Sequence, residues 1–317
     1  MSFNMKNGLV VKDNALINAS YNLEVTEQRL MLLAIINARE TGDGITADSK
    51  LQIHASDYMK HFDVDKKTAY EALKNAVDNL FNRQFSFREV RKGTDFIVKS
   101  RWVSRIAYAT NEAILEITFA PDVVPLILRL EEHFTSYQLK QVTQLTSKYA
   151  IRLYEMLIAW REVGKTPQIE LLEFRHKIGV EDTEYKDMHN FKKRVLEPSI
   201  KQINEHTDIT VTYEQHKKGR LISGFSFRLK QKKQTTKQAE QRDPDTLDMF
   251  SKLSDSQRYL FANKLSELPE MSPYSEGTES YQQFAVRIAE MLQNQDKLKE
   301  LYPLLKKVGY APAPKDI

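Results

Sequence analysis

Residues 185–230 read YKDMHNFKKRVLEPSIKQINEHTDITVTYEQHKKGRLISGFSFRLK, and they contain two periods in succession. On a helical wheel, at 100° per residue, Met188, Phe191 and Val195 fall together and must face a core. Lys186, His189, Asn190 and Lys193 fall on the opposite side, with Arg194 flanking. Pro198 removes one backbone donor late in this helix, so a kink is expected near Arg194 to Glu197. From Ile209 the period drops to two. Ile209, Val211 and Tyr213 alternate on one strand, Phe225, Phe227 and Leu229 on the next, and Gly219 supplies the positive φ of a tight turn. A helix followed directly by a hairpin with Lys217, Lys218 and Arg220 at its tip is how a winged helix-turn-helix domain ends.

Upstream the rest of such a domain is present. Residues 147–164 (SKYAIRLYEMLIAWREVG) have helical spacing, 166–170 (TPQIE) form a short strand, and 171–179 (LLEFRHKIG) form a second helix stopped by Gly179. The same order occurs earlier in the chain. A helix over 26–42 ends at Gly42, and 51–64 read as a strand and a helix. Asp65 is placed to cap a third helix with the stripe Tyr70, Leu73, Val77, Leu80 and Phe81. Strand patterns follow at 84–90, 95–109 and 113–120. The architecture is thus duplicated, although the two halves share few identical residues.

The fold expected is α+β: two tandem winged helix-turn-helix domains, then a linker and a small helical C-terminal region. The expected boundaries are an N-terminal arm over 1–18, a first domain over 19–132, a second over 133–233, and a linker and tail over 234–317. Residues 230–246 are polar without an apolar period and read as the linker. Two or more helices follow around a small apolar face, and 311–317 read as a frayed end.

Composition narrows the function. A chain of 317 residues, 41% apolar, suffices for two or three small domains. Mean hydropathy is −0.53, no apolar run approaches a membrane span, and the first residues lack signal-peptide features. The absence of cysteine excludes disulfides, thiol catalysis and Cys-ligated metals, and fits a cytoplasmic location. The net charge of +4 is modest, but every charge from Lys217 to Lys233 is positive.

Enzymatic readings fail on spacing. Gly164, Lys165 and Thr166 make half of a phosphate-binding loop, but Ala159 stands where its first glycine belongs and Pro167 blocks the helix that should follow. The seven histidines never form the His-x-His pair of a rolling-circle nickase, and the adjacent Glu131 and Glu132 point apart on a helix. No catalytic residue, metal or cofactor is expected.

The outward residues of the last helix suit a DNA groove. Lysine and arginine reach guanine or phosphate, and asparagine pairs with adenine. A solvated charged face would have the same composition; the place of this helix, third in its unit and followed by a cationic hairpin, favours DNA. The corresponding face of the first unit holds Thr68, Glu71, Asn75 and Asp78 with Lys67 flanking, and its carboxylates would repel phosphate. The first unit is therefore expected to touch backbone from elsewhere, through Lys66, Lys67, Arg88, Arg91 or Lys92, or to serve self-association. The stretch LTSKYAIRLYEML (145–157) leaves two readings open. Ser147, Lys148 and Arg152 form a phosphate clamp at a helix N-terminus, or the helix is simply capped and Arg152 pairs with Glu155.

LTSKYAIRLYEML, FKKRVLEPSIKQINEHTDITVTYEQHKKGR, GFSFRLK and, near the start, NASYNLEVTEQRLMLLAI together resemble the Rep initiators of iteron-controlled, theta-replicating bacterial plasmids, the RepB-type family, over roughly residues 8 to 232. The resemblance implies two winged-helix domains and binding to direct repeats (iterons) in double-stranded origin DNA. It also implies origin melting with host initiator and helicase proteins, and repression of the protein's own gene by dimers. It places base readout on His189, Asn190, Lys192, Lys193 and Arg194, with Ser147, Lys148, Arg152, Lys186, Lys217, Lys218 and Arg220 on phosphates. A winged-helix transcription regulator without initiator activity is the alternative.

Overall fold

The computed structural model describes residues 8–44, 46, 48–128, 134–232, 253, 255–275 and 281–310. The chain divides into two compact units. One comprises residues 1–128 and 135–233, the other 129–134 and 234–317. Glu131, Glu132, most of the expected linker and the 311–317 end lie outside the described residues.

The larger unit begins with β1 (Leu9–Asp13), the short α1 (Asn14–Ile17) and β2 (Ser20–Tyr21). The first winged helix follows as α2 (Val25–Thr41), β3 (Leu51–His54), α3 (Ala55–Phe62) and α4 (Lys66–Leu80), then β4 (Gln84–Arg91), β5 (Thr94–Arg101), β6 (Val103–Ala109) and β7 (Ile114–Phe119). After α5 (Val123–Leu128) and β8 (Phe134–Gln138) comes the second, as α6 (Lys148–Ile158), β9 (Ile169–Glu170), α7 (Leu171–Lys177), α8 (Met188–Phe191), α9 (Glu197–His206), β10 (Ile209–Lys218) and β11 (Leu221–Gln231).

The duplication is visible in the sheets. In the first domain the strand between helices pairs with the last strand of the wing, giving the order β3-β7-β6, and the second repeats it as β9-β11-β10. The 95–109 run is two strands rather than one, broken at the fully buried Trp102, so β4 and β5 make an extra hairpin that pairs with β2. Arg88, Arg91 and Lys92 lie on that extra hairpin. The β6–β7 wing turns instead through Thr110, Asn111, Glu112 and Ala113.

Local chemistry sets the element ends. Gly42, at φ 79°, ends α2 in the left-handed conformation, and the Asp65 carboxylate accepts from the Thr68 amide at the start of α4. The α4 stripe differs from expectation at its edge. Leu73 and Leu80 are buried with Ala69, Ala72 and Ala76, whereas Phe81 lies outside the helix and is exposed beneath the Arg101 guanidinium, 5.4 Å from its ring centre. Helix α6 is buried nearly all round, from Tyr149 to Ile158, as a helix packed between other elements must be. Gly179 sits where β2 meets the end of α7, and a Cβ there would stand 2.7 Å from the Tyr21 carbonyl oxygen. The two winged helices and the N-terminal arm share one core, in which Phe174, Phe191, Phe225 and Phe227 interlock.

The smaller unit holds α10 (Asp255–Ser266), α11 (Tyr281–Met291) and α12 (Gln295–Lys307) around Phe261, Leu265, Phe284, Ile288, Leu301 and Leu305. Among the described residues no helix is long and apolar enough to cross a membrane.

Candidate nucleic-acid interface

The candidate recognition helix, residues 188–206, is built in three pieces. Asp187 caps α8 by accepting from the Asn190 amide at 2.9 Å, so Lys186 lies just before the helix rather than on it. Residues Lys192–Leu196 then form a π-helical turn, in which the Glu197 amide reaches back to the Lys192 carbonyl. Its cause is Pro198. The ring offers no N–H to the carbonyl four residues earlier and would clash with it, and the wider turn relieves both faults. Ser199 donates its hydroxyl to the Val195 carbonyl at 2.6 Å and steadies the junction. The deviation overlaps the expected stretch but begins two residues earlier, at Lys192, and takes the form of a widened turn.

Phe191, Val195 and Leu196 are buried, and Lys186, His189, Asn190, Lys193 and Arg194 are exposed. Lys193 and Arg194 carry no ion pair or hydrogen bond with the described residues. Lys192 behaves differently. Its ammonium lies 3.3 Å from Gln215 Oε1 and 5.8 Å from the Tyr213 ring centre, so it ties the helix to the wing. Behind the helix, the nearly buried Arg175 guanidinium packs 5.0 Å from the Phe191 ring and donates to the Tyr185 carbonyl at 3.0 Å, fixing the loop that leads into α8.

The wing is a regular ladder from Ile209↔Gln231 to His216↔Gly224, followed by a bulge and the last pairs Lys217↔Ile222 and Lys218↔Leu221. Gly219 has φ 66° at the first central position of the two-residue turn, and Lys217, Lys218 and Arg220 are exposed around it. Strand β9 crosses β11 so closely that a Cβ on Gly224 would stand 2.2 Å from the Ile169 carbonyl oxygen. The Gly164-Lys165-Thr166 segment is a turn sewn to the same strand. Thr166 is buried, and its hydroxyl accepts from the Phe227 amide at 3.0 Å.

The phosphate clamp at the start of α6 does not assemble, and Arg152 requires correction. Ser147 does cap the helix, its hydroxyl accepting from the Ala150 amide, but the amides of Thr146 and Ser147 both donate to Gln202 Oε1, at 2.9 and 3.2 Å. Lys148 is bound to Asn22 Oδ1 at 2.9 Å and Glu24 Oε1 at 2.8 Å. Arg152 is only 1% exposed. Its guanidinium donates to the carbonyls of Ile17, Ala19 and Lys177, to the Tyr21 hydroxyl at 2.6 Å and to Glu155 Oε2 at 2.7 Å, with the Tyr21 ring centre 3.9 Å away. Glu155 also accepts from Lys12 and from the Tyr137 hydroxyl, each at 2.5 Å. Burial works against the Glu155 charge, but Lys12 and Arg152 outweigh it and hold its pKa at about 2. Burial pushes Lys12 down and Tyr137 up. The second reading of this stretch, a capped helix with an Arg152–Glu155 pair, is therefore the correct one. The pair ties Lys12 and Ile17 of the N-terminal arm, Ala19 and Tyr21 of the first domain, and Tyr137 and the end of α7 in the second together. Lys12 and Tyr21 gave no signal in the sequence, because a lone lysine in a strand says nothing about a carboxylate 143 residues on.

In the first domain Lys66, Lys67, Arg88 and Lys92 are exposed, and Arg91 pairs with Glu89 at 2.6 Å. Thr68, Glu71, Asn75 and Asp78 line the outside of α4 as expected.

A tandem winged helix whose second copy presents cations from its third helix and its wing, with that helix locked to the wing, defines a double-stranded-DNA-binding protein. Residues 9–158 match the family model described as initiator replication protein, WH1, and residues 170–229 match initiator Rep protein, WH2. The chain belongs to the initiator replication protein family. Its fold is that of the Pi initiator protein, solved in complex with iteron DNA, with TM-score 0.56 and 22% identity over 72% of this chain and 98% of that one. The WH1 domain of MSBI1.176, a replication protein isolated from a multiple sclerosis patient, is 59% identical, with TM-score 0.33, over 38% of this chain and 91% of that one. An uncharacterized 27.6 kDa protein of Escherichia coli is 24% identical over 221 residues, 67% of this chain and 92% of that protein.

Proposed function

We propose that the chain initiates plasmid replication by binding direct repeats at the origin, where it helps open the duplex and recruits host initiator and helicase proteins. The observation that carries this reading is the unpaired cationic face of the second recognition helix beside a cationic wing, in a member of the initiator replication protein family. A relative of the same fold, the Pi initiator protein, was solved on iteron DNA. On this reading His189, Asn190, Lys193 and Arg194 read bases, Lys192 sets the helix against the wing, and Lys186, Lys217, Lys218 and Arg220 hold phosphates. The protein acts in the cytoplasm, where plasmid DNA resides.

The first domain contributes backbone contacts from Lys66, Lys67, Arg88 and Lys92, and the dimer contact through which the protein represses its own gene. Its β4–β5 hairpin exposes Val90, Phe96 and Ile97 at 67%, 43% and 73%, a surface suited to a second copy.

The test is a circle containing only this gene, its flanking DNA and a selectable marker. An initiator maintains the circle in a host, and the Lys193→Ala/Arg194→Ala gene does not. A transcription regulator of the same fold would maintain neither. The wing has its own test. Replacing Lys217, Lys218 and Arg220 together by alanine should weaken binding to all duplexes alike and lower the slope of log affinity against log salt by about 2–3 units. A slope equal to that of the native protein would remove the wing from the interface.

A further inference from the structure

We propose that Leu221 is an apolar wedge that the wing drives between base pairs in the minor groove, unstacking one step in each bound repeat. This rests on the reading that the second domain binds duplex DNA. Leu221 is 78% exposed. On the same strand Phe225, Phe227 and Leu229 are all buried, so the alternation that fills the core stops before the tip. A single exposed leucine is ordinary by itself. Its surroundings here are not. It follows Arg220 and stands opposite Lys218 on the same face of the ribbon, and Lys217 comes just before Lys218 on the facing strand, paired with Ile222. The bulge between His216 and Lys217 re-aims these last pairs relative to the core-facing ladder. Nothing lies within 4 Å of a Cβ built on Gly219, so the tip is open.

The combination is specific to this wing. The equivalent turn in the first domain, between β6 and β7, carries Asn111 and Glu112 and no cation. A narrow two-stranded tip with three cations meets the phosphates lining a minor groove, and the exposed apolar group it carries there is Leu221, since its neighbour Ile222 packs against the core. Minor-groove proteins insert such side chains between base steps and unstack them. The flexible steps that yield most readily, TA and CA/TG, each contain a thymine. Permanganate attacks thymine once it is unstacked, which makes the step visible.

The experiment treats a linear fragment of the DNA flanking the gene with DNase I and, in parallel, with permanganate, in the presence of the full chain. The native protein should protect repeats and make a thymine at a fixed position in each of them reactive. Leu221→Ser should still protect, at a protein concentration roughly 3–10-fold higher, with thymine reactivity reduced at least about fivefold, and Leu221→Met should restore it. Protection without reactive thymines, or reactivity unchanged in Leu221→Ser, overturns the wedge and leaves the DNA-binding reading intact. No protection by the native protein overturns both.

Discussion

Replacing Glu155 by alanine should destabilise the larger unit by about 3–5 kcal/mol, the cost of leaving buried cations without their counter-ion. Lys12 and Arg152 would then be buried beside each other with no carboxylate between them, and the Tyr137 hydroxyl would lose its acceptor. Both tryptophans, Trp102 and Trp160, lie in this unit, so their fluorescence in a urea titration reports its unfolding alone. A Glu155→Ala midpoint equal to the native one would mean that the network contributes nothing. The same carboxylate predicts a pH dependence. Its folded pKa of about 2 lies below the ordinary 4.5, so the stability it supplies is complete above about pH 4.5. That stability is lost as pH falls towards 2, and amounts to roughly 3 kcal/mol. Glu155→Gln should flatten the decline between pH 5 and 2.5. An unchanged decline would assign acid sensitivity to other carboxylates.

Lys193→Ala and Arg194→Ala should each weaken specific DNA binding by about 1–3 kcal/mol and relax the base preference at the positions they face. Neither side chain has a partner within the described residues, so folding should be untouched and the urea midpoint should stay that of the native protein. Arg152→Ala makes the contrast. It should lose binding only in proportion to the fraction unfolded, because Arg152 is a core residue. If Lys193→Ala and Arg194→Ala leave both affinity and base preference intact, α8 and the turn after it are not the reading helix.

The sequence was most readable where a residue acts on its neighbours. Ser147, Asp65 and Gly42 cap their helices within one turn, and the alternation of Val211 and Tyr213 with Phe225 and Phe227 is a local period. Pro198 betrayed a disturbed helix for the same reason. Arg152 stays open between phosphate and Glu155 in the sequence because nothing local says that its helix is buried on all sides, with Ile17 and Tyr21, more than 130 residues earlier in the chain, closing over the guanidinium. The β4–β5 hairpin was likewise hidden. Nothing in residues 95–109 says that Trp102 turns inward between Tyr21 and Phe85, with ring centres 4.9 Å from each. The exposure of Lys193 and Arg194 survived the extra residue of the π turn because their neighbours Phe191 and Val195 still had to reach the core.

The central claim is that the second winged helix reads repeated sites in duplex DNA. It is tested most directly by DNase I footprinting of the native protein on the DNA flanking its own gene, at physiological salt. Evenly spaced protection over direct repeats is the result expected, lost when Lys193 and Arg194 are both alanine. Protection of one inverted repeat alone, or none, would contradict it.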